Sequence, residues 1–199
     1  MTASDPALAD FVALGDPATR RRVERDGGYF VVEGVLAIER LLALPRWPIR
    51  TIALLPRIAE RLAPALERDL AGRPGPPPRV EVVDEATLRG VVGFDLHRGA
   101  LASVERLPIP PAIDVLPPDG LVVAVEGVND HENLGALFRN AAAFGAGAVL
   151  LDPACADPFY RRSVRVSLGH VLAVPIGRLD PLPAGLDGLH AAGATTVAL

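Results

Sequence analysis

Short apolar runs alternate with longer stretches whose apolar residues recur every three or four positions. That pattern predicts strands and helices in turn along most of the chain. Asp16 reads as an N-cap, with Pro17 at the first helical position. Gly27 and Gly28 end that helix. Tyr29 to Val32 reads as a strand. Glu33-Gly34 then turns the chain into a helix with Val35, Ile38, Leu41 and Leu42 on one face. Ile49 to Leu55 is a second strand. Ile58, Leu62, Ala65, Leu66 and Leu70 mark a helix over 58–70. Gly72 to Arg79, GRPGPPPR, can be neither helix nor central strand and predicts an exposed loop. Val80 to Val83 is a short strand, Asp84 caps a helical turn to Leu88, and Ala100 to Val104 closes the unit. Strands alternating with helices make residues 1–107 a small α/β domain.

Five prolines in the twelve positions from Leu107 to Pro118 predict a stiff extended linker over 108–118. Beyond it, 119–199 reads as a second α/β domain. Leu121 to Val125 is an unbroken apolar run, which fits a strand buried on both faces of a parallel sheet. A polar loop, Gly127 to Asn133, follows at the carboxyl end of that strand, where open α/β sheets place their ligands. Leu134, Leu137, Phe138, Ala141 and Ala142 then carry a helical pattern, and Asn133 stands where its N-cap is wanted. Strands over 148–151, 171–174 and 195–199, and helices near 160–167 and 185–192, complete the reading. The chain stops on an apolar strand, which predicts a fragment of a longer protein.

Composition narrows the function classes. Half of the 199 residues are hydrophobic, enough for a sizeable core. The formal net charge is −4, with residues 1–107 balanced and 108–199 carrying the whole excess. RNA binders often show a basic excess, so any nucleic-acid surface here must come from local arginines. Every basic residue is Arg. The single cysteine, Cys155, excludes an intramolecular disulfide. The four His are scattered without ligand spacing, and no metal site is expected. The acidic N-terminus is no signal peptide, and no apolar run reaches the ~20 residues of a membrane span. The expectation is a cytoplasmic protein without a membrane partner.

Asn133, Gly135, Arg139, Ala142, Phe144 and Gly145 stand as N-x-G-x-x-x-R-x-x-A-x-F-G, which resembles the first motif of the SpoU/TrmH family of RNA ribose methyltransferases, in the SPOUT superfamily. Asp157 to Pro175 (DPFYRRSVRVSLGHVLAVP) resembles the second motif, with Arg165, Ser167 and Gly169 as R-x-S-x-G. FVVEGV (Phe30 to Val35) and LHRGALA (Leu96 to Ala102) look like the family's substrate-binding domain. The resemblance implies an RNA-binding N-terminal domain and a parallel-sheet, knotted catalytic domain that is incomplete in this chain. It implies S-adenosylmethionine-dependent 2′-O-methylation of rRNA or tRNA, and a homodimer for the complete protein. The third motif, which supplies most of the cofactor pocket, would lie beyond Leu199, so weak or absent cofactor binding is expected of this chain.

Methyl transfer from a sulfonium requires the attacking oxygen held close and in line, with water excluded. Arg stays protonated, which argues against Arg139 as a simple base. The resemblance makes it a grip on phosphate that orients the ribose hydroxyl, with Asn133 fixing the loop. Arg161, Arg162 and Arg165, beside Ser167, are either solvated helix charges or an RNA-backbone clamp. Arg20, Arg22 and Arg25 form a charged edge that could meet phosphates or only water. His97 and Arg98 are either a plain turn or part of the RNA-binding domain. Gly145 to Ala148, GAGA, follows a helix and is no dinucleotide fingerprint. Two other readings stay open: a non-catalytic RNA-binding module, and an unrelated α/β small-molecule enzyme.

Overall fold

The computed structural model describes residues 6–16, 18, 19, 28–71, 73–94 and 99–198. Two sheets organise them. The first has strands β1 (Tyr29–Glu33), β2 (Ile49–Leu54), β3 (Arg79–Val82) and β4 (Ala100–Glu105), in the order β1-β4-β2-β3. β4 runs antiparallel to both neighbours, and β2 and β3 are parallel. Helices α1 (Val35–Leu42), α2 (Pro56–Leu70) and α3 (Glu85–Val92) pack against it. The second sheet is wholly parallel, β5 (Val122–Val125), β6 (Ala148–Leu151) and β7 (Ile176–Arg178), in that order. Its connections hold α4 (His131–Ala143), α5 (Arg161–Val166) and α6 (His170–Ala173), and α7 (Gly185–Ala191) follows β7. This is the α/β architecture with a parallel sheet that the alternation predicts.

The alternation of strand side chains explains how so small a sheet is buried on both faces. Phe30 and Val32 of β1 enter one core and Tyr29 and Val31 the other. Ala100, Ala102 and Val104 likewise face away from Leu101. The first core is not confined to residues 1–107. Phe30 and Trp47 meet Phe159, with ring centroids 5.0–5.5 Å apart, and Val164, Val171 and Leu172 join the same cluster. Both sheets therefore share one hydrophobic core. Polar contacts finish the junction. Trp47 Nε1 donates to Leu172 O at 2.9 Å, and Arg40 and Arg46 donate to the carbonyls of Leu168 and Leu172.

Several expectations are corrected here. The apolar run at β5 is not buried on both faces. β5 is the edge of its sheet, Leu121 is 51% exposed and Ala124 is exposed. Val171 to Val174 is not a strand. Gly169 adopts φ +79°, the Ser167 hydroxyl accepts the Val171 N–H, and the chain makes the short turn α6 before β7 begins at Ile176. A four-residue apolar run carries no period that separates the two. Thr195 to Ala198 forms no strand, and Val197 is 77% exposed. The proline-rich segment, expected as a stiff extended linker, holds a short turn and packs on the second sheet. Ala112–Val115 is a 3-10 turn packed with Ala148 and Leu150, and Arg178 N–H donates to Pro110 O at 2.7 Å. The Asp16 cap is present: its carboxylate accepts the Thr19 N–H at 2.7 Å.

Candidate functional site

The carboxyl end of β5 opens into the loop Glu126 to Asp130, which α4 then leaves. Asp130 caps that helix, accepting the N–H groups of Glu132 and Asn133 at 2.9 and 2.8 Å. This corrects the assignment of the cap to Asn133. The helix starts three residues earlier than the apolar period suggests, because Asp130 takes extended φ and ψ and its carboxylate reaches the first free N–H groups. Asn133 thus lies in the first turn with its side chain exposed and uncommitted to the backbone cap. Arg139 follows almost two turns on, exposed, with no hydrogen bond or ion pair among the described residues. It lies near His170, whose imidazole is held below its ordinary pKa by burial first and then by the charges of Arg40 and Arg139.

The glycines of the two motifs have packing reasons. A Cβ on Gly135 would stand 2.6 Å from Ser163 O, so α4 and α5 cross closely only with glycine there. A Cβ on Gly169 would stand 2.9 Å from Ala37 Cα, which brings the second motif against α1. Each motif is thus packed against another element at its glycine.

The loop after β5 is pinned from β6. Asp152 is buried, and its Oδ1 accepts from Gly127 N–H at 3.0 Å and Ala154 N–H at 3.1 Å. Ala156 N–H donates to Val128 O at 2.8 Å, and the half-buried Cys155 thiol donates to Val125 O. The Gly127 N–H bond, against the opposing effect of burial, holds the Asp152 carboxyl below the ordinary carboxylate range. Burial pushes the Cys155 thiol up, which argues against a nucleophile. A depressed carboxyl contributes stability that is complete above its unfolded pKa, about 3.9, and is lost as pH falls through the folded value. Asp152→Asn is therefore expected to melt lower than the parent at neutral pH, with the gap closing below about pH 4. A gap in melting temperature that stays constant across that range would contradict the assignment.

The second-motif side chains are placed as follows. Ser167 is fully buried, its hydroxyl donating to Val164 O and accepting from Val171 N–H, so it shapes the α5–α6 turn. A short hydroxyl at a helix end bonds readily to nearby backbone groups. Arg162 is exposed beside Glu132, 3.5 Å away. Arg161 and Arg165 turn toward Glu33 of β1, and with Tyr160 and Arg162 they line a small polar hollow. Arg20, Arg22, Arg25, His97 and Arg98 lie outside the described residues. Sequence reasoning gave no role to Glu33, Asp152, Arg106 or Asp157. Arg106 grips Asp157 with two bonds of 3.1 and 2.6 Å across the junction of the two sheets. The signal for Glu33 and Asp152 was a carboxylate closing an otherwise apolar strand run.

Residues 120–199 match the model of the SpoU rRNA Methylase family. An uncharacterised tRNA/rRNA methyltransferase of Mycobacterium bovis is 40% identical over 195 residues, which is 98% of this chain and 65% of that relative. A 23S rRNA (guanosine-2′-O-)-methyltransferase of Ralstonia nicotianae is 40% identical over 78 residues, covering 36% of this chain and 30% of that protein. The crystal structure of an AdoMet-bound rRNA methyltransferase from Sinorhizobium meliloti superposes with a TM-score of 0.71 at 28% identity, covering 96% of this chain and 68% of that one. The chain spans about two thirds of the length of these full-coverage matches.

Proposed function

We propose, from the match of residues 120–199 to the SpoU rRNA Methylase family, that the chain belongs to an RNA methyltransferase acting on the ribose 2′-hydroxyl of rRNA or tRNA. The observation that supports it most is the exposed Arg139, whose side chain has no partner among the described residues, on a helix leaving the strand-end loop. The methyl donor proposed is S-adenosylmethionine, the ligand named for the Sinorhizobium meliloti structure. Bound, it supplies an electrophilic methyl group. Asp152 is spent on backbone N–H groups, and the hollow beside β5 is rimmed by exposed Phe144 and Val197. No residue of this chain is therefore assigned to the donor.

The roles of this chain's residues follow from geometry and charge. Arg139 holds a phosphate and orients the neighbouring hydroxyl, with a planar fork that fits two oxygens. Asn133, in the first turn of the same helix, hydrogen-bonds the nucleotide or the loop. Arg162 and Arg165 meet the RNA backbone, which positions the duplex or loop without reading sequence. Residues 1–107 carry the rest of the RNA surface, and 119–199 the reaction centre. In the complete protein, a homodimer in the cytoplasm is the proposed working state. No described helix is long and apolar enough to cross a membrane.

The test is incorporation of label from methyl-labelled S-adenosylmethionine into bulk tRNA and rRNA by the protein in its complete native form. Label is expected in RNA carrying 2′-hydroxyls and absent from the 2′-deoxy counterpart. Equal labelling of the two would refute a ribose target.

A further inference from the structure

β1 reads YFVVE: four apolar residues and then a carboxylate, all five buried. Glu33 is 6% exposed at its side chain, and its two oxygens face α5 from the other side of the shared core. Oε2 accepts from Arg161 Nη1 at 3.0 Å, and Oε1 lies 3.8 Å from Arg165 Nη1. The two arginines are four residues apart on one helix face, where like charges repel. One carboxylate set between them offsets that repulsion and leaves the trio with one positive charge in excess. Arg162 and Glu132 balance each other alongside, so the hollow lined by Tyr160, Arg161, Arg162 and Arg165 is net cationic.

The two guanidiniums are not equivalent. Arg161 is 18% exposed, lies 4.3 Å over the Phe94 ring, and is committed to Glu33. The Arg165 side chain is 37% exposed, and its guanidinium makes the ion pair with Glu33 and no hydrogen bond among the described residues. Its guanidinium has five donors in a fixed fork. With one edge turned to Glu33, the remaining donors are left for an anion. Net stability is a weak reason for such an arrangement, since buried ion pairs seldom exceed a well-packed apolar substitute.

We infer that Glu33 is a positioning residue: from the first sheet it fixes the Arg165 guanidinium in the orientation that meets an RNA phosphate. The inference rests on the RNA-backbone role proposed for Arg165. It couples the two halves of the chain, because the sheet of residues 1–107 then sets the geometry of a contact made by the second.

The test is binding of fluorescently labelled bulk tRNA as a function of salt, for the parent, Glu33→Gln, Arg165→Ala and the double variant. By charge alone, removing a carboxylate near RNA should tighten binding. Positioning requires the opposite. Glu33→Gln is expected to weaken binding about five-fold near 0.15 M salt and to reduce the slope of log affinity against log salt by roughly 0.7–0.9, one phosphate contact. Arg165→Ala should do the same, and the double variant should be no worse than Arg165→Ala. Unchanged or tighter binding by Glu33→Gln, with Arg165→Ala losing slope, would make Glu33 a structural strut and overturn the inference alone. An unchanged slope for Arg165→Ala would overturn the backbone role and the positioning with it. If Glu33→Gln melts below the assay temperature, Glu33→Gln/Arg161→Gln replaces the buried pair with hydrogen-bonding amides and leaves Arg165 without its carboxylate. The same loss of slope is expected there relative to Arg161→Gln alone.

Discussion

Replacing Arg139 with alanine is expected to cut methyl transfer to RNA by ~10²-fold or more, the scale of a lost electrostatic stabiliser, while leaving the melting temperature unmoved. The two halves of that expectation come from one observation. Arg139 is exposed on α4 and makes no hydrogen bond or ion pair among the described residues. Its removal therefore leaves no buried partner unsatisfied, and alanine is the better helix former. An arginine with no structural partner, one strand-end loop from the proposed reaction centre, is free to spend its donors on substrate. Arg139→Lys should rescue poorly, because an ammonium cannot make the two-pronged contact. The assay is label transfer from the methyl donor to RNA, with thermal melting of each variant alongside. Near-normal turnover in a folded Arg139→Ala protein would remove this residue from the mechanism.

The second large effect concerns the junction of the two sheets. Trp47→Ala is expected to destabilise the protein by about 3–5 kcal/mol, the cost of deleting a large aromatic from a packed core. Trp47 is 4% exposed, stands edge-on to both Phe30 and Phe159, and donates its indole N–H to Leu172 O. The substitution opens a cavity and also removes one of the two donors to that carbonyl, leaving it only Arg46. Against a typical total of 5–15 kcal/mol, such a loss approaches unfolding. Because Trp47 belongs to the first sheet's unit and Phe159 and Leu172 to the second, both units should melt together and earlier. Chemical denaturation followed by far-ultraviolet dichroism checks this. A variant in which one transition moves and a second stays in place would show two independently stable units.

Most strands and helices were legible because their apolar periods are long or bounded by clear punctuation. β1, β2, β4, α1, α2 and α4 each carry a period or a run that only one element satisfies. The misreadings share a physical origin. Val171 to Val174 is too short to carry a period, and the turn that makes it helical is set by Gly169 and by a hydroxyl from Ser167. The run at Leu121 looks like a central strand because apolarity records only that something covers it, not that a neighbouring strand pairs with it. Asp130 and Asn133 compete for one cap, and spacing alone does not decide between two good acceptors three residues apart.

For the candidate site, the motif glycines were visible as letters but not as contacts. Only the fold shows that Gly135 meets Ser163 and that Gly169 meets Ala37. The partners of Arg161 and Arg165 lie 128 and 132 residues away in sequence, on β1. No local pattern could join them, although the carboxylate ending YFVVE marked a strand with an unusual last residue.

The central claim is that the methyl group goes to a ribose oxygen of RNA. The measurement that reaches it directly is the position of the label. RNA methylated by the complete protein is hydrolysed in alkali, which cleaves every linkage whose 2′-hydroxyl is free to attack the adjacent phosphate. The account predicts that the label survives in an alkali-resistant dinucleotide, which enzymatic digestion then resolves to a single 2′-O-methyl nucleoside. Label released in ordinary mononucleotides, carried on a base, would contradict it.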